Sequence, residues 1–357
     1  FGGVQFGTNF ATQPTLVTTP MLAARGSAVV PSTVDVFVNG AQVASQAVPP
    51  GPFTIDHVPS ITGAGQMQVV ITDALGRQQV LSQPYYTGPA LLRAGLNEYS
   101  FELGSMRQDY GYASNSYGDL VTAATFRRGF TDQVTAEAHV EAQAGGPAAV
   151  GLNGAWQMGE FGILSATMAA GGVDAMGWLA GFGFEHNGQR ASLFARTQFA
   201  SESFAQLGTV ELENRPQQRT FVGFGLDFAR YGNLQVAYGL QSFWTSRSQE
   251  TIGVSHALTL GDFGYLNLIV SQNIGADTAT DVFLNWTMPF GDRRSAAVSL
   301  RQSTGVTAGD DFAAVASVQQ SLPAGTGVGY QVSLASNEDA QLGYSYQGHA
   351  GLASVQY

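Results

Sequence analysis

The 357-residue sequence contains no cysteine and no lysine. Without cysteine the chain can form neither a disulfide framework nor a thiolate metal site, and its redox compartment cannot be inferred. All fifteen basic residues are arginine. The chain therefore has no P-loop lysine and no lysine for a Schiff base, which excludes several classes of enzyme.

Charge is also scarce, because charged residues make up 11% of the chain against about 25% in soluble proteins. The net charge of −11 argues against nucleic-acid binding, which needs a basic face. No apolar run approaches the roughly 20 residues of a transmembrane helix, although 44% of the residues are hydrophobic. A membrane protein of this composition has to be a β-barrel. Because Phe1 is not preceded by a signal peptide, we expect a mature fragment or an internal piece.

Proline and glycine are concentrated in one short stretch, Val-Pro-Pro-Gly-Pro-Phe-Thr-Ile, from Val48 to Ile55. Proline lacks a backbone N–H and fixes φ, so such a run cannot form a central strand or a helix. The run Pro49, Pro50, Gly51 and Pro52, followed by Phe53, predicts a rigid turn.

Runs with strand periodicity flank this stretch on both sides. Upstream, alternating valines from Val34 to Val38 end in Asn39-Gly40, a strong hairpin signal, and the partner strand is predicted at 42–47. Downstream, Met67, Val69 and Ile71 alternate with polar residues before a predicted turn at 73–76 and a return strand at 79–82. These runs predict a small antiparallel sandwich of about 70 residues, with its exit linker at 85–89.

These motifs, followed by Asp73-Ala74-Leu75-Gly76-Arg77 and Leu91-Leu92-Arg93-Ala94-Gly95-Leu96, resemble the plug domain and the next barrel strand of outer-membrane fimbrial ushers. Ushers are the pores of the chaperone-usher pathway. The resemblance covers about residues 1–130 in order and spacing, and beyond that it is one of general texture. It implies a bacterial outer-membrane protein that translocates and assembles pilus subunits delivered by periplasmic chaperones. The usher domains that bind those complexes are missing from this sequence.

From about residue 92 onward, segments of about ten residues alternate at strand period and are separated by turn residues, which is typical of transmembrane β-strands. In one of them Val134, Ala136 and Ala138 interleave with polar residues. Trp156, Trp244 and Trp286 fall in the apolar register near strand ends, as an interfacial girdle requires. Buried tryptophans in a soluble sandwich are the alternative.

The predicted fold is therefore all-β: a partial transmembrane antiparallel β-barrel with an inserted small β-sandwich. The predicted divisions are the end of a barrel strand at 1–11, the plug at 12–88 and barrel strands at 89–357. We count about 16 or 17 strands after the plug. A plug of this size, with a radius of gyration of about 11 Å, needs a barrel of roughly 22 strands or more. We expect further strands on the N-terminal side, with one or two more at the C-terminus as an open alternative.

Five charged residues are predicted to line the lumen: Glu137, His139, Glu141, Arg190 and Arg196. The first three share one face of one strand and have the residue types of a metal site, but a solvated wall is the favoured interpretation. We expect no cofactor, no metal and no catalytic residue. Ser255-His256 lacks the context of a nucleophile elbow, and Asp310-Asp311 lacks the oxygen pattern of a calcium loop.

The alternation breaks at 201–208, and a polar stretch follows to residue 219. The usher resemblance implies a short helix here that caps the plug, with Phe204 and Leu207 as its apolar contacts. An ordinary long extracellular loop is an equally good interpretation.

Three functions of different classes are compatible with these patterns. The leading one is a gated pore for pilus subunits. The second is a plugged porin or small-solute channel, and the third is an outer-membrane hydrolase, for which the five histidines show no suitable pairing. If the apolar register faces lipid, arginine should block assembly at Ala138 and be tolerated at Thr135.

Overall fold

The computed structural model describes residues 2–13, 15–28, 30–58, 62–73, 78–109, 111–112, 114–209, 215–275, 278–291, 293–305, 311–337, 339–349 and 351–357. Short 3-10 turns lie at Phe10–Thr12, Gly159–Phe161, Ala229–Tyr231 and Gly261–Phe263. Among the described residues, no helix is long and apolar enough to span a membrane.

The chain forms two compact units. The first comprises Phe1–Thr220 and Gln241–Arg247, and the second comprises Phe221–Leu240 and Ser248–Tyr357. Two strands, β15 (Pro216–Asp227) and β16 (Asn233–Phe243), contain residues of both units.

Six strands of the first unit form two small sheets of their own, which we call the insert. They are β2 (Leu22–Ala28), β3 (Ser32–Val38), β4 (Ala41–Val48), β5 (Gly51–Val58), β6 (Gly63–Asp73) and β7 (Gln78–Thr87). The order β4-β3-β6-β7 makes a four-stranded sheet, and β2 pairs with β5. The predicted hairpin at Asn39-Gly40 is confirmed, since both residues have positive φ between β3 and β4. Residues 74–76 of the predicted turn lie outside the described residues.

The core of the insert lies between its two sheets. Alternation puts Val34, Val36 and Val38 of β3 on one face, where they pack with residues from the other five strands: Ala24, Ala28, Val48, Ile55, Val58, Met67, Val69, Ile71 and Tyr85. Val36 is fully buried. The predicted sandwich is confirmed by this shared core.

Two boundaries within the insert differ from the sequence-based prediction. Only Pro49 and Pro50 lie between strands, because Gly51 and Pro52 already belong to β5 and pair with Ala28 and Ser27. Proline is tolerated there because β5 belongs to a two-stranded sheet, where one of its edges needs no N–H donor. The predicted exit linker at 85–89 was also too long, since β7 continues to Thr87.

The other strands of the first unit form an antiparallel wall. They are β1 (Gly2–Gly7), β8 (Asn97–Arg107), β9 (Tyr117–Thr131), β10 (Val134–Gln143), β11 (Ala148–Gln157), β12 (Ile163–Gly172), β13 (Met176–Asn187) and β14 (Ala191–Ala200). β1 pairs with β8, and each later strand pairs with the next. The chain therefore leaves the wall after β1 and returns beside it as β8, with the insert between.

Adjacent cross-strand rows of this wall have opposite character. One row is largely apolar and consists of Tyr99, Phe126, Ala138, Leu152, Met168, Ala180 and Phe199. The row one residue along is largely polar and consists of Glu98, Arg127, Glu137, Asn153, Thr167, Gly181 and Gln198. Leu152 is 58% exposed. The wall thus has an apolar face that is open and a polar face on the other side.

The positions of two tryptophans agree with this division into an apolar and a polar face. Trp156 pairs with Val134 and Leu164 on the apolar face and is half exposed. Trp244 follows β16, is also exposed, and its indole Nε1 donates to the carbonyl of Ala200 at 3.2 Å. Neither is buried in a core, so the sandwich alternative is wrong for these two residues.

Eight strands lie entirely within the second unit: β17 (Gln249–Thr259), β18 (Tyr265–Ile274), β19 (Ala279–Phe290), β20 (Arg294–Gly305), β21 (Asp311–Gln320), β22 (Gly327–Ala335), β23 (Ala340–Gly348) and β24 (Gly351–Gln356). Each pairs antiparallel with the next. The described residues after the insert contain the strands β8 to β24, which is seventeen and agrees with the predicted number.

Candidate functional site

The insert contacts the wall through Tyr86, at the end of β7. Tyr86 is only 2% exposed and packs with Leu91, Ala155 and Ile163. Near its end β7 contributes Tyr85 to the core of the insert and Tyr86 to the contact with the wall, because alternation places these two residues on opposite faces.

Two hydrogen bonds and one ring contact hold Tyr86 in this position. Its carbonyl oxygen accepts from Gln157 Nε2 at 2.5 Å, and its hydroxyl accepts from the backbone N–H of Asn187 at 3.2 Å. Its ring stacks on His186 with centroids 5.7 Å apart. Burial raises the pKa of the Tyr86 hydroxyl, and the nearby Glu185 carboxylate raises it further against the opposing hydrogen bond from Asn187. The hydroxyl therefore stays neutral at physiological pH.

Two glycines allow the insert to approach the wall closely. A Cβ on Gly63, the first residue of β6, would lie 2.7 Å from the carbonyl oxygen of Asn187, and the φ of Gly63 is +102°. A Cβ on Gly88 would lie 2.6 Å from Ile163 Cδ1 and 2.8 Å from Glu185 Oε1. Side chains at either position would push the insert away from the ends of β12 and β13.

The chain after the insert is fixed to the wall by Arg127 of β9. Arg127 Nη2 donates to the carbonyl oxygens of Pro89 at 3.1 Å and Ala90 at 2.8 Å. Its Nη1 donates to Glu98 Oε2 at 3.1 Å. The guanidinium suits this role because its donors point in fixed, divergent directions.

Thr135 of β10 fixes the same segment from the other side. It is 3% exposed, its Oγ1 accepts from the N–H of Leu92 at 2.8 Å, and it also lies 3.4 Å from the carbonyl of Leu92. A Cβ on Gly129 would lie 2.2 Å from that carbonyl oxygen. The expectation that arginine is tolerated at Thr135 is therefore wrong, because the position is filled by the segment that leaves the insert.

The chain segments that enter and leave the insert also touch each other. The N–H of Arg93 donates to the carbonyl of Thr18 at 2.7 Å, and the N–H of Thr8 donates to the carbonyl of Tyr99 at 2.8 Å. Both connections are thus held beside the paired strands β1 and β8.

Glu137, His139 and Glu141 lie on the polar face of β10, as predicted for one strand face. The ring nitrogens of His139 are engaged by Thr125 Oγ1 at 2.8 Å and by Glu141 Oε2 at 3.0 Å. Among the described residues no group of three or more acidic, histidine or cysteine side chains forms a metal site. His139 and Glu141 are therefore joined by a hydrogen bond on this face, Glu137 lies beside them on the same strand face, and the solvated wall stays a prediction.

The two predicted lumen arginines differ in position. Arg196 lies on β14 opposite Gly183, on the same face as Glu185. Arg190 lies in the turn after β13 and is exposed, so its assignment to the wall is wrong. The alternation of the sequence continued up to this turn, and only the structure shows that the strand stops at Asn187.

The segment 201–209 crosses the polar face of the wall. Its described residues form turns rather than a helix, and residues 210–214 lie outside the described part. The N–H of Leu207 donates to Glu141 Oε1 at 2.8 Å, while Phe204 is buried beside Gly177, where a Cβ would lie 2.1 Å from Phe204 N. Both predicted residues thus pack on the wall, and the capping of the plug stays a prediction.

The described residues of the other two candidate motifs do not come together as a site. Ser255 and His256 are consecutive residues of β17, pair with Ile269 and Leu268, and so point to opposite faces. Asp310 lies outside the described residues, and Asp311 is the first residue of β21.

Sequence reasoning missed the residues that join the insert to the wall. Tyr86 was assigned to a linker, and neither Gln157 nor Asn187 was singled out. The Tyr85-Tyr86 pair was the available signal, because two bulky aromatic residues at the end of a strand indicate two buried faces rather than a flexible connection.

A family model described as outer membrane usher protein matches residues 1–357. The chain therefore belongs to the outer membrane usher family, whose members are located in the bacterial outer membrane and are not enzymes.

Curated relatives support this membership. The chain is 26% identical over 304 residues to the outer membrane usher protein FimC of Bordetella pertussis, covering 77% of this chain and 34% of the relative. It is 25% identical over 278 residues to the F1 capsule-anchoring protein of Yersinia pestis, covering 70% and 32%. The chain spans about a third of the length of these relatives.

Solved structures show the same fold. The chain matches the translocation pore of the P pilus usher PapC at a TM-score of 0.52 and 18% identity, over 95% of this chain and 72% of that one. It matches an Escherichia coli P pilus tip assembly intermediate, PapC-PapD-PapK-PapG, at a TM-score of 0.65 and 18% identity, over 95% and 44%. The predicted fold class, a partial transmembrane antiparallel β-barrel with an inserted small β-sandwich, is confirmed.

Proposed function

We propose that this chain is the pore-forming part of an usher, through which chaperone-delivered pilus subunits pass, and that the insert is its gate. The observation that best supports this proposal is the position of the insert in the chain, between two neighbouring strands that pair with each other, β1 and β8. Both connections start at one place on the wall, so the insert can move as a body without any wall strand being unpaired.

The size of the contact supports reversible closure. The buried cluster around Tyr86 contains only a few side chains, and the hydrogen bonds from Gln157 and Asn187 each contribute about 0.5–1.5 kcal/mol. A partner that binds elsewhere with a modest preference for the open state can displace such a contact. The segment 89–94 stays on the wall, held by Arg127 and Thr135, and divides the moving part from the fixed part at Gly88.

The proposed partners are complexes of a periplasmic chaperone with a pilus subunit, recruited through domains outside this chain. The solved structure of PapC with PapD, PapK and PapG is an assembly intermediate of a pilus tip. Because this chain belongs to the usher family, we propose partners of the same kind for it. Lipid of the outer membrane is the second partner, on the apolar face.

The test is planar-bilayer conductance of the full-length protein with and without residues 12–88. Deletion should convert a mostly silent pore into one with large and sustained current. Gln46→Ala, on an exposed strand of the insert, is the control and should stay silent. An unchanged current after deletion would show that the insert does not gate the pore, and a constitutively conducting wild-type protein would favour the porin alternative.

A further inference from the structure

The polar faces of the two units differ in charge. In the first unit this face carries a dense set of charged or titratable side chains, which are Glu98, Arg127, Glu137, His139, Glu141, Glu185 and Arg196. Most of those with described contacts bind the insert's exit segment, the segment 201–209 or one another. Glu98, Arg127, His139 and Glu141 are therefore engaged in local contacts.

The second unit has one charged pair on the corresponding face of β19 and β20. Arg301 Nη2 donates to Asp281 Oδ1 at 3.2 Å, and the two side chains sit one strand apart. From Ala313 through β24, the described positions of this face carry no charged side chain. Neutral amides and hydroxyls replace the charges there.

We call this neutral region the amide face. One cross-strand row consists of Ser295, Gln319, Gln331, Gly343 and Gln356, and the neighbouring rows add Ser317, Ser333, Gln341, Ser345 and Ser354. The face contains a depression of about 390 Å³ whose lining includes Gln319, Gln331, Gln341 and Gln356. On the opposite side of the same strands lies an apolar row with Val318, Val332 and Leu342.

On the basis of the proposed function, we infer that the amide face is the surface along which a folded subunit moves through the pore. Its lack of charge keeps the adhesion of the subunit to the wall weak. A folded subunit carries surface charges of both signs. A fixed wall charge would attract or repel each of them in turn, whereas amides and hydroxyls exchange hydrogen bonds with water at little net gain. An apolar wall would instead bind exposed apolar groups.

The occupant is a folded protein rather than a bound small molecule. The depression is open and uncharged, and five of its thirteen lining residues are glutamines, whose flexible side chains adapt to a changing partner. A site for one fixed ligand uses a few convergent polar groups in an apolar pocket. The amide face spreads similar groups over five strands.

The decisive variant is the triple substitution Gln319→Glu, Gln331→Glu and Gln341→Glu in the full-length protein. Each change keeps the shape, adds a negative charge and replaces the amide donor by an acceptor. The bond that Gln319 Nε2 donates to Ser295 Oγ at 3.1 Å can reverse, because a hydroxyl can also donate. Incorporation of subunits from purified chaperone–subunit complexes should slow by about fivefold or more at 0.05 M salt, in roughly the range that a contact between charges a few ångströms apart produces in water. The rate should recover when salt is raised to about 0.5 M, because the Debye length falls from above about 10 Å to about 4 Å.

Gln249→Glu, the same change at the first residue of β17 and outside the amide face, is the matched control and should leave the rate unchanged. A wild-type rate for the triple variant at low salt would overturn the inference, and so would a slow rate that salt does not relieve. Block of the current of the insert-deleted pore by maltohexaose, lost in the triple variant, would overturn it too, because the face would then be a saccharide site.

The rise in conductance on deletion of residues 12–88 is measured with an unaltered amide face, and the rate of subunit incorporation is measured with the insert in place. The proposed gate and the proposed role of the amide face are therefore tested by separate measurements.

Discussion

The insert and the wall use the same alternation of apolar and polar residues and place the apolar side in opposite environments. Val36 of β3 is fully buried between two sheets, whereas Leu152 of β11 is 58% exposed on a single one. The insert has a second sheet to cover its valines, whereas Leu152 is exposed on a face of the wall that we predict to contact the membrane. Strand periodicity therefore reports that one face is apolar, and the number of sheet layers decides what covers it.

The largest effect is expected from a substitution that unfolds the insert and leaves the wall folded. Val36→Asp places an unpaired charge in the core between the two small sheets and should destabilise the insert by more than about 4 kcal/mol. We expect a sustained open current and loss of protease resistance in the insert. The band of the folded barrel on a gel without heating should stay as in the wild type. Loss of that band would show that the two regions fold as one.

A matched pair of consecutive residues sharpens the assignment of the two faces. Leu152→Arg puts a charge on the apolar face and should cost about 2–4 kcal/mol near the bilayer midplane. Asn153→Arg puts the same side chain on the polar face, at the loss of one hydrogen bond from Thr167. Outer-membrane levels and heat-modifiability should fall for the first variant alone. Equal levels for both would refute the lipid-facing assignment.

The smallest effect tests the contact between the two regions. Tyr86→Phe removes the hydroxyl that accepts from Asn187 and should weaken closure by about 0.5–1.5 kcal/mol. The open probability of the pore should rise by about twofold to tenfold. Tyr344→Phe, on the apolar face of β23, is the control for the loss of a tyrosine hydroxyl and should have the wild-type open probability.

Much of the fold could be predicted from local patterns, because hairpins and strands depend on residues close in sequence. The Asn39-Gly40 hairpin, the valines of β3 and the number of later strands all depend on period-two alternation and turn residues. The ends of strands were less predictable. Pro52 forms part of β5 because β5 lies in a two-stranded sheet, where one edge of the strand needs no N–H donor. This condition depends on the position of the strand in the sheet rather than on the local sequence.

The candidate site was largely out of reach, since it depends on residues far apart in the chain. Thr135 has the same sequence context as its neighbours in β10, and its burial follows from a segment some 43 residues earlier that folds against it. Likewise, nothing near Gln157 or Asn187 indicates that Tyr86 ends beside them. Contacts made when a compact domain meets a sheet carry no periodic signal.

The bond between Arg93 and Thr18 has a consequence for how such proteins can change over evolution and in the laboratory. With its two ends side by side next to paired strands, the insert meets the condition under which one domain can be replaced by another. A different small domain with closely spaced termini should fit at the same point without altering β1 or β8. As the proposed gate, the insert would then be an exchangeable domain, and a ligand-binding domain placed there should give a channel that its ligand opens.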